Sequence, residues 1–164
     1  MKRLTRALAC AICLAAFGAA HAADSGGSSS PPPSWGSAKG ENAALKSAQA
    51  ALAGGDYAAA QAQLKSALAT DPGNADLHNL YAYSIRKGPN PDMPLVFKHY
   101  EEALRLDPKH RGAHEYIGEA YLMVGNPAKA REHLAALDKL CTFSCAEYDM
   151  LKKALAAYDA KTPK

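Results

Sequence analysis

The chain has 164 residues, with 19 lysines and arginines, 16 acidic residues and four cysteines. That is room for one ordinary domain, with no charge excess of the kind that marks a nucleic-acid or anionic-membrane binder. Three of the basic residues, Lys2, Arg3 and Arg6, open the chain, and without them bases and acids balance at 16 each.

Those three residues precede an apolar run over 7–20 and the small-x-small triplet Ala20-His21-Ala22. This order predicts a signal peptide over 1–22, cleaved after Ala22 or one residue later. The apolar run is short for a membrane span of ~20 residues, so no span is expected after cleavage. The leader takes Cys10 and Cys13 with it and directs the remaining chain to an oxidising space, most simply a bacterial periplasm. Cys141 and Cys145 are left as a disulfide candidate.

Residues 23–40 are rich in Gly, Ser and Pro with no apolar periodicity, which predicts a flexible linker. Trp35 is the sole tryptophan of this arm. Helical patterning then begins. Leu45, Ala48 and Leu52 mark one face of a helix over 42–53, and Gly54-Gly55-Asp56 ends it and caps the next. Tyr57, Ala60, Leu64 and Leu68 mark a second helix over 57–69, followed by the turn Asp71-Pro72-Gly73-Asn74. Leu77, Leu80, Tyr81 and Ile85 give a third helix over 77–86. A longer Pro-rich break follows, then a helix with Pro94 in its first turn, running to Leu106 and closed by Asp107-Pro108. Helices over 111–123 and 127–140 flank Val124-Gly125-Asn126. A seventh helix over 144–160 starts with the capping-box spacing of Ser144 and Glu147.

The helices fall into three units, 41–74, 75–110 and 111–141. Aligned on Pro72 and Pro108, Ala60, Val96 and Ala130 share one position, and Leu64, Tyr100 and Leu134 share the one four later. Ala67, Ala103 and Leu137 follow. Ala48, Ala82 and Gly118 take a small position at which the paired helix crosses closely. These spacings, at a near-constant period of ~34 residues, resemble the tetratricopeptide repeat. The resemblance implies an all-α fold: three helix-turn-helix units and a C-terminal capping helix in a short right-handed solenoid. The family's bulky aromatic at the fourth position is replaced by Ala44, His78 and His114, a departure expected to thin the packing. The second unit carries two extra residues in its turn.

The resemblance also implies a concave groove lined by positions two, five, nine and twelve of each unit. Here these are Asp76, Asn79, Tyr83 and Arg86, then Gly112, Glu115, Glu119 and Leu122. Such a face suits a peptide or partner protein. It lacks the lysine and asparagine set of repeats that clamp a C-terminal carboxylate, and its acids would repel one. The function expected is a periplasmic interaction module or scaffold. The alternatives are a Cu(I) or thiol-redox carrier using Cys141, Cys145 and His133, and a structural subunit of an envelope complex. A break between the last two helices lets a bridge form across Thr142-Phe143-Ser144. His110 and His114 stand four apart, more in keeping with a capping or packing role than with a metal. No cofactor motif and no catalytic constellation is present.

Overall fold

The computed structural model describes residues 43–162. The expected leader over 1–22, the linker over 23–40 and Trp35 lie outside the described residues. Within them the chain forms seven helices and no strand: α1 (Ala43–Ala53), α2 (Tyr57–Thr70), α3 (Ala75–Lys87), α4 (Met93–Leu106), α5 (Arg111–Met123), α6 (Pro127–Leu140) and α7 (Ala146–Lys161).

Local chemistry sets the boundaries. The side chains of Asp56, Asn74, Asp92, His110 and Asn126 each accept a backbone N–H of the first turn, satisfying donors that a helix start leaves orphaned. The turns inside the first and third hairpins place Gly55 and Gly125 at φ 75°, a left-handed conformation open to glycine. The following N–H groups, of Asp56 and Asn126, reach back to Ala51 and Tyr121 carbonyls in a Schellman closure. The second hairpin has two extra residues there and uses Gly88 to Asp92 without a left-handed glycine. α3 begins two residues before its expected start, because Asn74 caps it.

Each helix packs on its neighbours in sequence, and α1, α3, α5 and α7 also pack along one row. We call this the inner row, and α2, α4 and α6 the outer row. The core divides into three clusters. Leu45, Leu52, Leu64, Leu77 and Leu80 hold the first, and Val96, Tyr100, Tyr116 and Ile117 the second. Leu137, Leu151 and Leu155 hold the third. Each cluster draws on consecutive helices, as expected of a stack stabilised by nearest-neighbour interfaces. The aligned positions Ala60, Val96 and Ala130 are all fully buried.

Three details correct the sequence reading. A Cβ on Gly118 would sit 2.6 Å from Leu151 Cδ2, so this small residue serves the crossing with α7, not with its paired α6. The capping box of Ser144 and Glu147 does not form. The Cys141–Cys145 contact puts Cys145 at the N-cap without a side-chain cap bond, and the Ser144 hydroxyl lies 2.6 Å from Asp149 Oδ2. His78 and His114 do not thin the packing: each meets a histidine of its paired helix, His99 and His133, with Nδ1–Nδ1 distances of 2.8 and 3.0 Å.

Candidate groove site

The buried polar and charged side chains among the described residues are His78, Asn79, Ser84, Arg86, Glu115 and Glu147, and all lie on α3, α5 or α7. Burying such groups is costly unless they are partnered, so their confinement to the inner row draws attention to that face.

Arg86, near the end of α3, is its centre. Its Nε donates to the Tyr100 hydroxyl at 3.2 Å. Its Nη2 lies 2.8 Å from Glu119 Oε2, an ion-pair distance without hydrogen-bond alignment. The guanidinium carbon stands 5.5 Å from the Tyr83 ring centre and 5.6 Å from that of Tyr116, within cation–π range. Burial disfavours its charge, but Tyr100 and Glu119 outweigh this and hold the guanidinium firmly protonated. Burial pushes the hydroxyls of Tyr100, Tyr116 and Tyr83 up, with Arg86 opposing in each case.

At one end of the face, His110 caps α5 by accepting the Ala113 N–H at Nδ1, and its Nε2 lies 3.1 Å from Asp76 Oδ1. With Nδ1 accepting, the Nε2–H donates to the carboxylate, tying α3 to α5. Of the capping and packing roles expected of this histidine, the capping one is seen. At the other end, Arg86, Glu119 and Leu122 border an open hollow of about 330 Å³, with Met123, Ala154 and Tyr158 as apolar walls.

Of the expected groove residues, Tyr83, Glu119 and Asp76 are partly exposed, whereas Asn79, Arg86, Glu115 and Leu122 are buried. They are a recessed floor, not a presented surface, because the rings of Tyr83 and Tyr116 flank Arg86. Glu115 is pushed up to about 9, first by burial and then by Glu119 and Glu147, with Arg86 opposing. Tyr100, Tyr116 and Glu147 belong to the same network, although none occupies an expected groove position. Tyr100 holds a core position of the repeat, and its hydroxyl reaches the inner row.

The two histidine pairs repeat the same geometry. His78 Nε2 lies 3.0 Å from the Pro72 carbonyl oxygen, and His114 Nε2 lies 3.1 Å from that of Pro108. A carbonyl only accepts, so each Nε2 carries a hydrogen. In the neutral pair the Nδ1 then accepts from Nδ1–H of His99 or His133. Burial first, then the facing histidine, pushes His99 and His133 down to about 4. The periodicity of His78 and His114 was the available signal, but pairing required knowing which residue of the next helix faces them.

The set Cys141, Cys145 and His133 is not brought together. His133 faces His114 and stacks on Tyr121, while the two cysteine side chains meet each other across a Cα separation of 5.8 Å. Among the described residues no three His, Cys, Asp or Glu side chains cluster as metal ligands. No described helix is long and apolar enough to cross a membrane.

No curated protein matches the chain. The tetratricopeptide repeat family matches residues 45–92 and 98–144, more than half of its length. With seven helices stacked as hairpins at the spacing of that repeat, the chain belongs to the tetratricopeptide repeat family.

Proposed function

We propose that the protein binds a peptide or partner protein on the inner face of α3 and α5, as an exported interaction module of the bacterial periplasm. The repeat architecture is one of protein–protein interaction in general. The observation that carries the finer reading is the concentration of buried polar side chains on the inner row around the Arg86–Glu119 pair, beside a hollow with apolar walls. Tyr83 and Glu119 supply the contacts because they remain partly exposed at the rim, while Arg86 holds them in place. The protein acts by binding and not by catalysis. Export rests on the basic, apolar and small-residue order of residues 1–22.

Cys141 and Cys145 act here as a structural staple at the joint to α7, in keeping with their contact and with an oxidising compartment. The test is affinity capture with crosslinking from envelope extracts, using the chain and its Tyr83→Ala and Glu119→Ala variants. A partner retained by the parent and lost by both variants supports the groove. Retention by both variants contradicts it.

A further inference from the structure

Among the described residues, Glu115 is the buried acid of the inner face that no basic side chain approaches to ion-pair distance, although the Arg86 charge acts on it. Arg86 stands 2.8 Å from Glu119, His110 3.1 Å from Asp76 and Arg111 3.8 Å from Glu147. Glu115 lies among them, 2% exposed, and its Oε2 meets no hydrogen-bond donor. The charges that act on it belong to Glu119 on α5, Glu147 on α7 and Arg86 on α3, so the carboxyl faces the inner row.

A second acceptor is in the same condition. Asn79 on α3 is 3% exposed, and its Oδ1 also lacks a donor. Its amide nitrogen is 3.4 Å from where a Cβ of Gly112 would be, one helical turn before Glu115. An orphaned buried acceptor costs about 1–3 kcal/mol, and buried polar groups are otherwise nearly always satisfied. Two on facing helices, with acids around them, ask for a donor that carries positive charge.

Resting on the groove reading above, we propose that Asn79 Oδ1 and Glu115 Oε2 receive the guanidinium of an arginine in the partner's peptide segment. A guanidinium fits because its five N–H donors fork toward more than one acceptor, and because it is weakly hydrated and stays charged when buried. The same face already holds one guanidinium, that of Arg86, between the Tyr83 and Tyr116 rings. Tyr83 and Glu119 form the rim that the side chain passes.

The proton balance is explicit. Burial and the two neighbouring carboxylates keep a proton on Glu115 in the free protein near neutral pH. On binding, the carboxyl O–H bond breaks, the proton leaves to solvent, and the carboxylate accepts N–H groups of the guanidinium, which itself does not titrate. Affinity therefore climbs by up to about tenfold per pH unit from pH 7 towards 9.

The test titrates the chain with a capped peptide carrying one arginine among alanines, and with the same peptide carrying citrulline, which keeps the shape and removes the charge. The arginine peptide is expected to bind about tenfold tighter or more at pH 8. Both that preference and the pH dependence disappear in Glu115→Gln, whose side chain mimics the neutral acid, with the melting curve checking its fold. Equal affinities, no binding of either peptide, or a preference unchanged in Glu115→Gln overturns the inference. The groove reading survives any of these if Tyr83→Ala still releases the captured partner, and falls with the inference if it does not.

Discussion

The inner and outer rows are built from the same repeat and bury different chemistry. α2, α4 and α6 bury Ala60, Leu64, Val96, Ala103, Ala130 and Leu137, with Tyr100 the member that carries a polar atom inward. α3, α5 and α7 bury a guanidinium, carboxyl groups, an amide and an imidazole besides their leucines. α1 belongs to the inner row by position, yet Leu45, Ala48 and Leu52 make its buried face apolar. The first hairpin nevertheless joins α3 through a polar tie, the Gln61 Nε2 donating to the Ser84 carbonyl oxygen at 3.0 Å. The polar floor from α3 onward has no counterpart on the buried face of α1, and it is the face proposed to receive the partner.

The largest expected effect comes from breaking the centre of that floor. Arg86→Ala leaves Glu119 and the Tyr100 hydroxyl without their partner and is expected to cost roughly 3–5 kcal/mol in urea unfolding. A loss below about 1 kcal/mol, the scale of surface pairs, would show that Arg86 is not part of the packed interior. Next is the inner-row crossing. Gly118→Val pushes methyl groups into Leu151, whose Cδ atoms already lie 2.6 and 2.8 Å from a bare Cβ. A cost of about 2 kcal/mol is expected. Hydrogen exchange should show α7 loosening first, whereas loosening of α6 would restore the expected pairing.

The third test compares the joints. α3 and α5 are tied back to Pro72 and Pro108 by histidine, and the joint to α7 has the Cys141–Cys145 contact in that place. If the cysteines are bridged, thiol counting of the non-reduced protein finds neither free. Reduction then costs roughly 2 kcal/mol, from closure of so short a loop. Two free thiols would contradict the staple. The smallest effect concerns the histidine joints. His99 and His133 fold with their affinity for protons lowered, so below about pH 6.5 the unfolded chain binds protons that the folded one refuses. Stability contributed by neutrality is complete above pH 6.5 and is lost as pH falls towards 4. The charged neighbours are Lys98 and Glu102 at one pair, and Lys129 and Glu132 at the other. Both pairs are partly solvated, so about 1–2 kcal/mol per pair is expected after screening. The double variant His99→Gln, His133→Gln should flatten this acid slope, and an unchanged slope would assign it elsewhere.

Helices and their order were legible because each carries its own local signal. Asp56 caps α2 through its own turn, Pro94 opens α4, and Gly125 with Asn126 separates α5 from α6. Such signals act within a few residues and survive without tertiary context. The floor of the groove was legible only as a set of positions. That Arg86 is withdrawn depends on Tyr100 from α4 and Tyr116 from α5 converging on it, which no periodicity within α3 reports. The same holds for His99 and His133, whose partners sit 21 and 19 residues away. At Ser144 the local signal misled, because a contact between residues 141 and 145 set the start of α7.

The inner row as the binding surface is tested most directly by a photocrosslinking amino acid placed at Tyr83 and, in separate proteins, at Lys65 of α2 and Glu101 of α4, both exposed on the outer row. Irradiation in envelope extracts should give a discrete adduct from position 83 and none from 65 or 101. Adducts from 65 or 101, with none from 83, would place the partner on the opposite face and contradict the groove.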